Sequence, residues 1–195
     1  MVSAKSGATE RTTRFGKVRL VVCGTGPDVL PVVRLAIPLG WDVTVIDHRP
    51  ADQAHPERLP GARAVHCAEP SRLADLVPLG PRSAAVVMSH HFVRDTEYVG
   101  ALLGSDAAYV GVLGPRTRTE RMLAELTARG AAPAITDRLF NPIGLDVGGD
   151  GPEAIALAIV AEVAAVMHGR QGGHLRDRAT AADRGAPARV SYVEP

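Results

Sequence analysis

The feature that most constrains this chain is a series of short apolar segments, each closing on polar or glycine residues and leading into helical spacing. "VRLVVC" (Val18–Cys23) ends at Gly24 and is followed by "PDVLPVVRLAIPLG", whose apolar residues recur at helical intervals. "DVTVID" (Asp42–Asp47) comes next, then a weaker "ARAVHC" (Ala62–Cys67) with a short helix expected around Ser71 to Val77. "AAVVMS" (Ala84–Ser89) precedes a helix expected from about Asp95 to Leu103, and "AYVGVL" (Ala108–Leu113) precedes one that opens with Pro115 and Arg116. "GPEAIALAIVAEVAAVMHG" has the strongest helical pattern: Pro152 suits a first turn, Glu153 complements the positive helix end, and Gly169 makes a stop. Continuous apolar runs suit strands covered on both faces. Strand–helix alternation with short connections demands a parallel sheet with right-handed crossovers. The expected fold is α/β, a doubly wound parallel sheet with helices on both faces.

In such a sheet, ligands bind beyond the carboxyl ends of the strands, near the point where strand order reverses. That rule gathers Gly24–Asp28, Asp47–Arg49, Ser89–Asp95 and Gly111–Arg118 on one edge. Gly24 suits a tight turn, and Gly26 lets backbone amides approach a pyrophosphate. Val29 stands where a dinucleotide fingerprint has its third glycine, so the helix is expected to sit slightly further out. Pro27 lacks an N–H, and a carboxylate at Asp28 would repel a phosphate. Asp47 ends the second strand about 20 residues beyond the glycines, the spacing at which an acidic residue holds ribose hydroxyls. Arg49 can pair with Asp47 or face a ligand phosphate. Gly111 and Gly114, with Arg116 and Arg118 opening a helix, point to an anion.

Adjacent side chains on extended backbone point to opposite sides, so at most one of His90 and His91 is expected in the crevice. His90, His91 and Asp95 lack a recognised zinc spacing, and no metal site is expected. No catalytic residue is assigned.

The 195 residues suit a lead-in over 1–16, one domain over 17–168, and a Gly-, Ala- and charge-rich tail over 169–195. With 22 Lys plus Arg against 21 Asp plus Glu, the net charge of +1 argues against a nucleic acid held by bulk charge. Cys23 and Cys67 form no CxxC motif and are expected to be small buried hydrophobes. The amino terminus has no apolar signal region and no apolar run reaches the ~20 residues of a membrane span, so a cytoplasmic protein with no membrane partner is expected.

Several motifs together resemble the C-terminal, Rossmann-type domain of the XdhC/CoxI family over Arg19 to Met167. They are "DVTVIDHRP", "VVMSHHFVRDTEYV", "AYVGVLGPRTRTERML" and "NPIGLDVGGDGPEAIALAIVAEVAA". The family comprises accessory proteins of molybdenum hydroxylases such as xanthine dehydrogenase and carbon monoxide dehydrogenase. The resemblance implies a Rossmann-like sheet and a cofactor chaperone rather than an enzyme. Such a chaperone binds the molybdenum cofactor (molybdopterin or its dinucleotide form), supports its sulfuration with a cysteine desulfurase, and inserts it into the apo-hydroxylase. On that basis Arg116 is the expected phosphate partner, Asp47 would hold a ribose, and His90 would approach the ligand. "PIGLDVGG" would form a rigid loop above the same edge, with Gly144 allowing close approach and Asp146 meeting a ligand or bracing the loop.

The chain departs from the family where Pro27 and Asp28 replace a His-Val pair and where Pro115 replaces a hydroxyl residue. Full-length members carry a further N-terminal domain for which this chain has no room, so a separate domain of that type is an expected partner; a homodimer is compatible with the family. Two alternatives stand. One is an NAD(P)-binding oxidoreductase-like protein, motivated by Gly24, Gly26 and Asp47 but lacking a Tyr-x-x-x-Lys pair. The other is a ligand-sensing or scaffold module without cofactor, kept open by the charge at Asp28.

Overall fold

The computed structural model describes residues 16–50, 56–131 and 137–177. The expected lead-in before residue 16 and the tail after 177 lie outside the described residues.

Six strands form one parallel sheet in the order β3-β2-β1-β4-β5-β6. They are β1 (Arg19–Cys23), β2 (Asp42–Asp47), β3 (Ala64–Cys67), β4 (Ser83–Val87), β5 (Tyr109–Val112) and β6 (Leu139–Phe140). The first five fall where the apolar runs place them. The sixth is a two-residue edge strand, paired through Val110↔Leu139 and Gly111↔Phe140, too short for periodicity to reveal. Among the described residues, five α-helices accompany them: α1 (Val29–Ala36), α2 (Leu73–Leu76), α3 (Phe92–Leu103), α4 (Arg116–Ala128) and α5 (Pro152–Met167).

Successive residues of a strand feed opposite faces, and here both faces are dry. Leu20 and Val22 of β1 join α1 and α5 in one core, together with Trp41 just before β2. Val21 and Cys23 of the same strand join α2, α3 and α4 in the other. Each fully buried aliphatic side chain contributes roughly 1.5–3 kcal/mol, which is why the strands read as unbroken apolar runs. Val29 is completely buried in the first core, so the side chain that replaces the third glycine is absorbed as packing. α3 begins three residues before the expected Asp95, because His91 serves as its N-cap through a 3.4 Å bond from the Arg94 amide to Nδ1.

α1 and α3 leave the neighbouring strands β1 and β4 toward opposite faces. The strand order reverses between those two strands, and a crevice opens above their carboxyl ends. Among the described residues, no helix is long and apolar enough to cross a membrane.

Candidate functional site

The glycine corner after β1 is shaped by β4. Gly24 has φ +129°, and a Cβ there would lie 2.7 Å from the Met88 carbonyl oxygen and 2.8 Å from the Ser89 Cα. Only glycine fits. Its amide donates to the Ile46 carbonyl at 2.8 Å, locking the turn onto β2. Gly26 is different: a Cβ there would meet only the His90 ring, at 3.4 Å.

Asp47 ends β2 with no exposed side-chain surface. Arg49 grips its carboxylate through Nε, Nη2 (2.6 Å) and its own amide (2.9 Å), and the Thr25 hydroxyl donates to Oδ2 at 2.7 Å. The Arg49 Nη2 also donates to the Thr25 hydroxyl at 2.9 Å. Burial alone would raise the Asp47 pKa, but the bonds from Arg49 and Thr25 and the Arg49 charge hold it below its ordinary value. Of the two roles open to Arg49, the structure shows pairing with Asp47. The same pairing occupies the acceptors a ribose would need, so Asp47 meets a sugar only if Arg49 and Thr25 let go.

Beyond β4 a second buried carboxylate organises the edge. Asp95, 2% exposed, accepts from the Ser89 hydroxyl at 2.5 Å and from Arg118 Nη2 at 2.8 Å. Burial lifts its pKa, while Ser89, Arg118 and His90 pull against that rise. His90 takes the left-handed conformation (φ 62°), so simple alternation of neighbouring side chains does not apply to the pair. His91 caps α3 and meets the His48 ring edge-on with centroids 5.3 Å apart. His90 Nε2 lies 3.3 Å from Asp28 Oδ2.

His90 also lines a cleft of about 600 Å³ with Phe92, Pro115, Thr117, Arg118 and Arg121. Two guanidinium groups lie over one ring there, with the Arg118 and Arg121 carbons 5.5 and 5.2 Å from the Phe92 centroid. Arg118 Nη1 is enclosed and has no hydrogen-bond partner among the described residues.

Arg116 is exposed and is not among the residues that line this cleft. The arginines that do line it are Arg118 and Arg121, which sit three apart and therefore on one helix face, whereas residues two apart point nearly opposite ways. That phase is readable in the sequence, where Arg118 and Arg121 share a face that Arg116 does not. Gly114 (φ +124°) makes the corner before α4, and its missing Cβ leaves 3.3 Å to the Arg118 side chain. Asn141 fixes this corner by donating to the carbonyls of Val112 and Gly114, each at 3.0 Å.

The remaining glycines serve packing. A Cβ on Gly111 would strike Ile143 and the Tyr109 hydroxyl. Gly144 lies against Ala158 of α5 and donates its amide to Glu162 Oε2 at 2.9 Å. Asp146 is exposed and makes no hydrogen bond or ion pair among the described residues. Cys23 is buried as expected, its thiol pKa raised by burial and then by Asp95 and Asp47. Cys67 corrects the expectation: it is exposed, because it falls on the last residue of β3 at the open carboxyl edge. Among the described residues, no group of three or more His, Cys, Asp or Glu could hold a metal ion.

Comparisons with known proteins agree with this architecture. The model of the XdhC Rossmann domain matches residues 20–163. A Bacillus subtilis protein named as a probable xanthine dehydrogenase subunit is 35% identical over 147 residues, covering 75% of this chain and 42% of that protein. The uncharacterized protein YqeB of Escherichia coli is 27% identical over 157 residues, covering 80% and 28%. A crystal structure described as a xanthine dehydrogenase from Bacillus halodurans superposes with a TM-score of 0.70 at 32% identity, covering 79% of this chain and 45% of that one. The chain thus spans less than half the length of each of these relatives. With sheet order, glycine corner and the β4–α3 and β5–α4 segments falling inside the matched region, the chain belongs to the XdhC Rossmann domain family.

Proposed function

We propose that this chain binds the molybdenum cofactor and acts as an accessory factor in the maturation of a xanthine dehydrogenase-type hydroxylase. The observation that carries the reading is the cleft between the β4–α3 and β5–α4 corners, where Arg118 and Arg121 both approach the Phe92 ring. It supports an anionic, partly planar ligand, in a family whose relatives carry xanthine dehydrogenase in their names.

The residues present fit the phosphate end of such a cofactor. Arg118 retains an unpaired donor, Arg121 and the Thr117 hydroxyl stand beside it, and the amides at the start of α4 favour negative charge. Phe92 supplies apolar surface and His90 a polar ring across the cleft. When bound, the cofactor supplies the phosphate or pyrophosphate and the pterin-held molybdenum. The chain's own part is to bind, to orient, and to shield. The apo-hydroxylase and a cysteine desulfurase are the proposed partners.

Purified chain titrated with molybdenum cofactor beside NAD and NADP tests the reading. Preferential binding of the molybdenum cofactor, with a fluorescent oxidised pterin released from protein isolated from cells, is the expected result. Binding of NAD or NADP alone would make this a nucleotide protein. Binding of none would leave a scaffold that contacts the hydroxylase without its cofactor.

A further inference from the structure

His90, which lines the cleft, is paired with Asp28, which does not, and an anion site would not need that arrangement for binding alone. His90 Nε2 sits 3.3 Å from the Asp28 carboxylate, and His90 is about half exposed while Asp28 is only 18% exposed. A bare carboxylate so close to an anion site is repulsive; a carboxylate neutralised by an imidazolium is not. Histidine is the side chain that ordinarily changes charge between pH 5 and 8.

We infer that anion binding in this cleft is proton-coupled: Arg118 and Arg121 receive a phosphate or pyrophosphate group, and His90, held by Asp28, takes up a proton as the anion enters. The inference rests on reading this cleft as the ligand site, and specifies how that site handles charge.

The groups that face His90 fix the sign. Asp28, at the start of α1, favours the protonated ring. Asp95 from α3 acts in the same direction, since His90 and that carboxylate influence each other's charge, although Arg118 already neutralises Asp95. Arg118 and Arg121 from α4 line the same cleft and oppose protonation. His91, the next residue, is engaged with the α3 amides and with His48. An incoming anion cancels the two opposing arginines and adds negative charge, so the ring gains a proton on binding. By linkage, the affinity falls as pH rises.

The strain at His90 agrees with a placed residue. A non-glycine residue in the left-handed region is uncommon, and here that conformation sets the ring against Asp28 at the cleft mouth.

The test uses the full chain and ADP-ribose, a pyrophosphate diester whose phosphates stay ionised throughout the range, so any proton taken up belongs to the protein. Calorimetric titrations run between pH 6 and pH 8, in pairs of buffers with different ionisation heats, give affinity and proton uptake together. Affinity is expected to fall several-fold across that range, with net uptake of part of a proton near the middle.

His90→Asn, which keeps a residue tolerant of the left-handed turn, should bind with a flat pH profile and no uptake. Asp28→Asn should bind more tightly at pH 8 than the unaltered chain. Arg121→Gln, which removes a guanidinium that lies over the Phe92 ring, should weaken binding about tenfold without disturbing the Asp95 pair.

Absence of ADP-ribose binding at pH 6, a pH-independent affinity, uptake that persists in His90→Asn, or unchanged affinity in Arg121→Gln would each overturn the inference. If ADP-ribose behaves as expected while molybdenum cofactor is not bound, the cofactor reading fails and this one stands.

Discussion

A side chain at position 24 has nowhere to go, because the β4 backbone and the residues just beyond it occupy the space where its Cβ would stand. Gly24→Ala is expected to cost at least about 3 kcal/mol, since both a backbone clash and a positive φ must be relieved. Gly26→Ala, facing only the edge of an imidazole, should stay within about 1 kcal/mol. Urea unfolding midpoints of the two variants separate these outcomes.

Asp47 makes a second residue-scale case. Its folded pKa lies below its ordinary value, so its bonds stabilise the fold above about pH 4 and are lost as pH falls through the folded pKa. Asp47→Asn should therefore lower stability at pH 7 by about 1–3 kcal/mol and lose less on going to pH 3 than the unaltered chain. Asp95 has the opposite sign: its raised pKa makes its charged, neutral-pH form the costly one. At this scale the sequence was informative where spacing is local. The Gly24 corner and the carboxylate of Asp47 were visible; the Arg49 pairing was visible only as one of two options, and the Thr25 bond that completes it was not visible at all. Arg118 was visible beside Arg116 at the helix start, whereas Arg121 follows only from helix phase, three residues on from Arg118.

At the scale of elements, α5 is held by a contact between residues 53 apart in sequence. The Tyr109 hydroxyl donates to Glu162 Oε2 at 2.5 Å, and the Gly144 amide donates to the same oxygen. A strand, a loop and a helix thereby share one carboxylate. Tyr109→Phe keeps the stack on Phe140 (4.4 Å between centroids) and should cost about 1–2 kcal/mol. Glu162→Ala removes the acceptor of the buried Tyr109 hydroxyl and of the part-buried Gly144 amide and should cost about 2–4 kcal/mol; chemical denaturation of both variants checks the order. None of this was legible in the sequence, where α5 reads only as an apolar helix and Glu162 as a polar interruption. The "PIGLD" segment was expected to be a loop above the ligand edge. Its glycine lies against α5, and the part-buried Gly144 amide finds an acceptor in Glu162. β6 escaped notice for the related reason that two residues carry no period, and only pairing with β5 defines it.

Taken whole, the molecule places its candidate site at the carboxyl edge of a single sheet. The fold was legible because strands covered on both faces must be apolar throughout, and that pattern survives without any knowledge of partners. The site was legible only as a location, since topology fixes where the carboxyl ends converge but not which side chain of a turn or helix faces inward. A ligand that binds only the folded state should raise the unfolding temperature, by an increment equivalent to about 2.7 kcal/mol at a hundred times its dissociation constant. Molybdenum cofactor is expected to show this increment where NAD does not, read by differential scanning calorimetry.

The chain's single tryptophan gives such work its own gauge. Trp41, 7% exposed, is packed in the α1-side core at the amino end of β2, while the cleft opens at the carboxyl edge. Its fluorescence therefore reports on the integrity of that core and is insulated from what enters the cleft. A red shift marks loss of the α1 layer, whereas occupancy by a ligand without near-ultraviolet absorption, such as ADP-ribose, should leave the emission still. Folding and binding can accordingly be followed in the same cuvette without one signal being mistaken for the other.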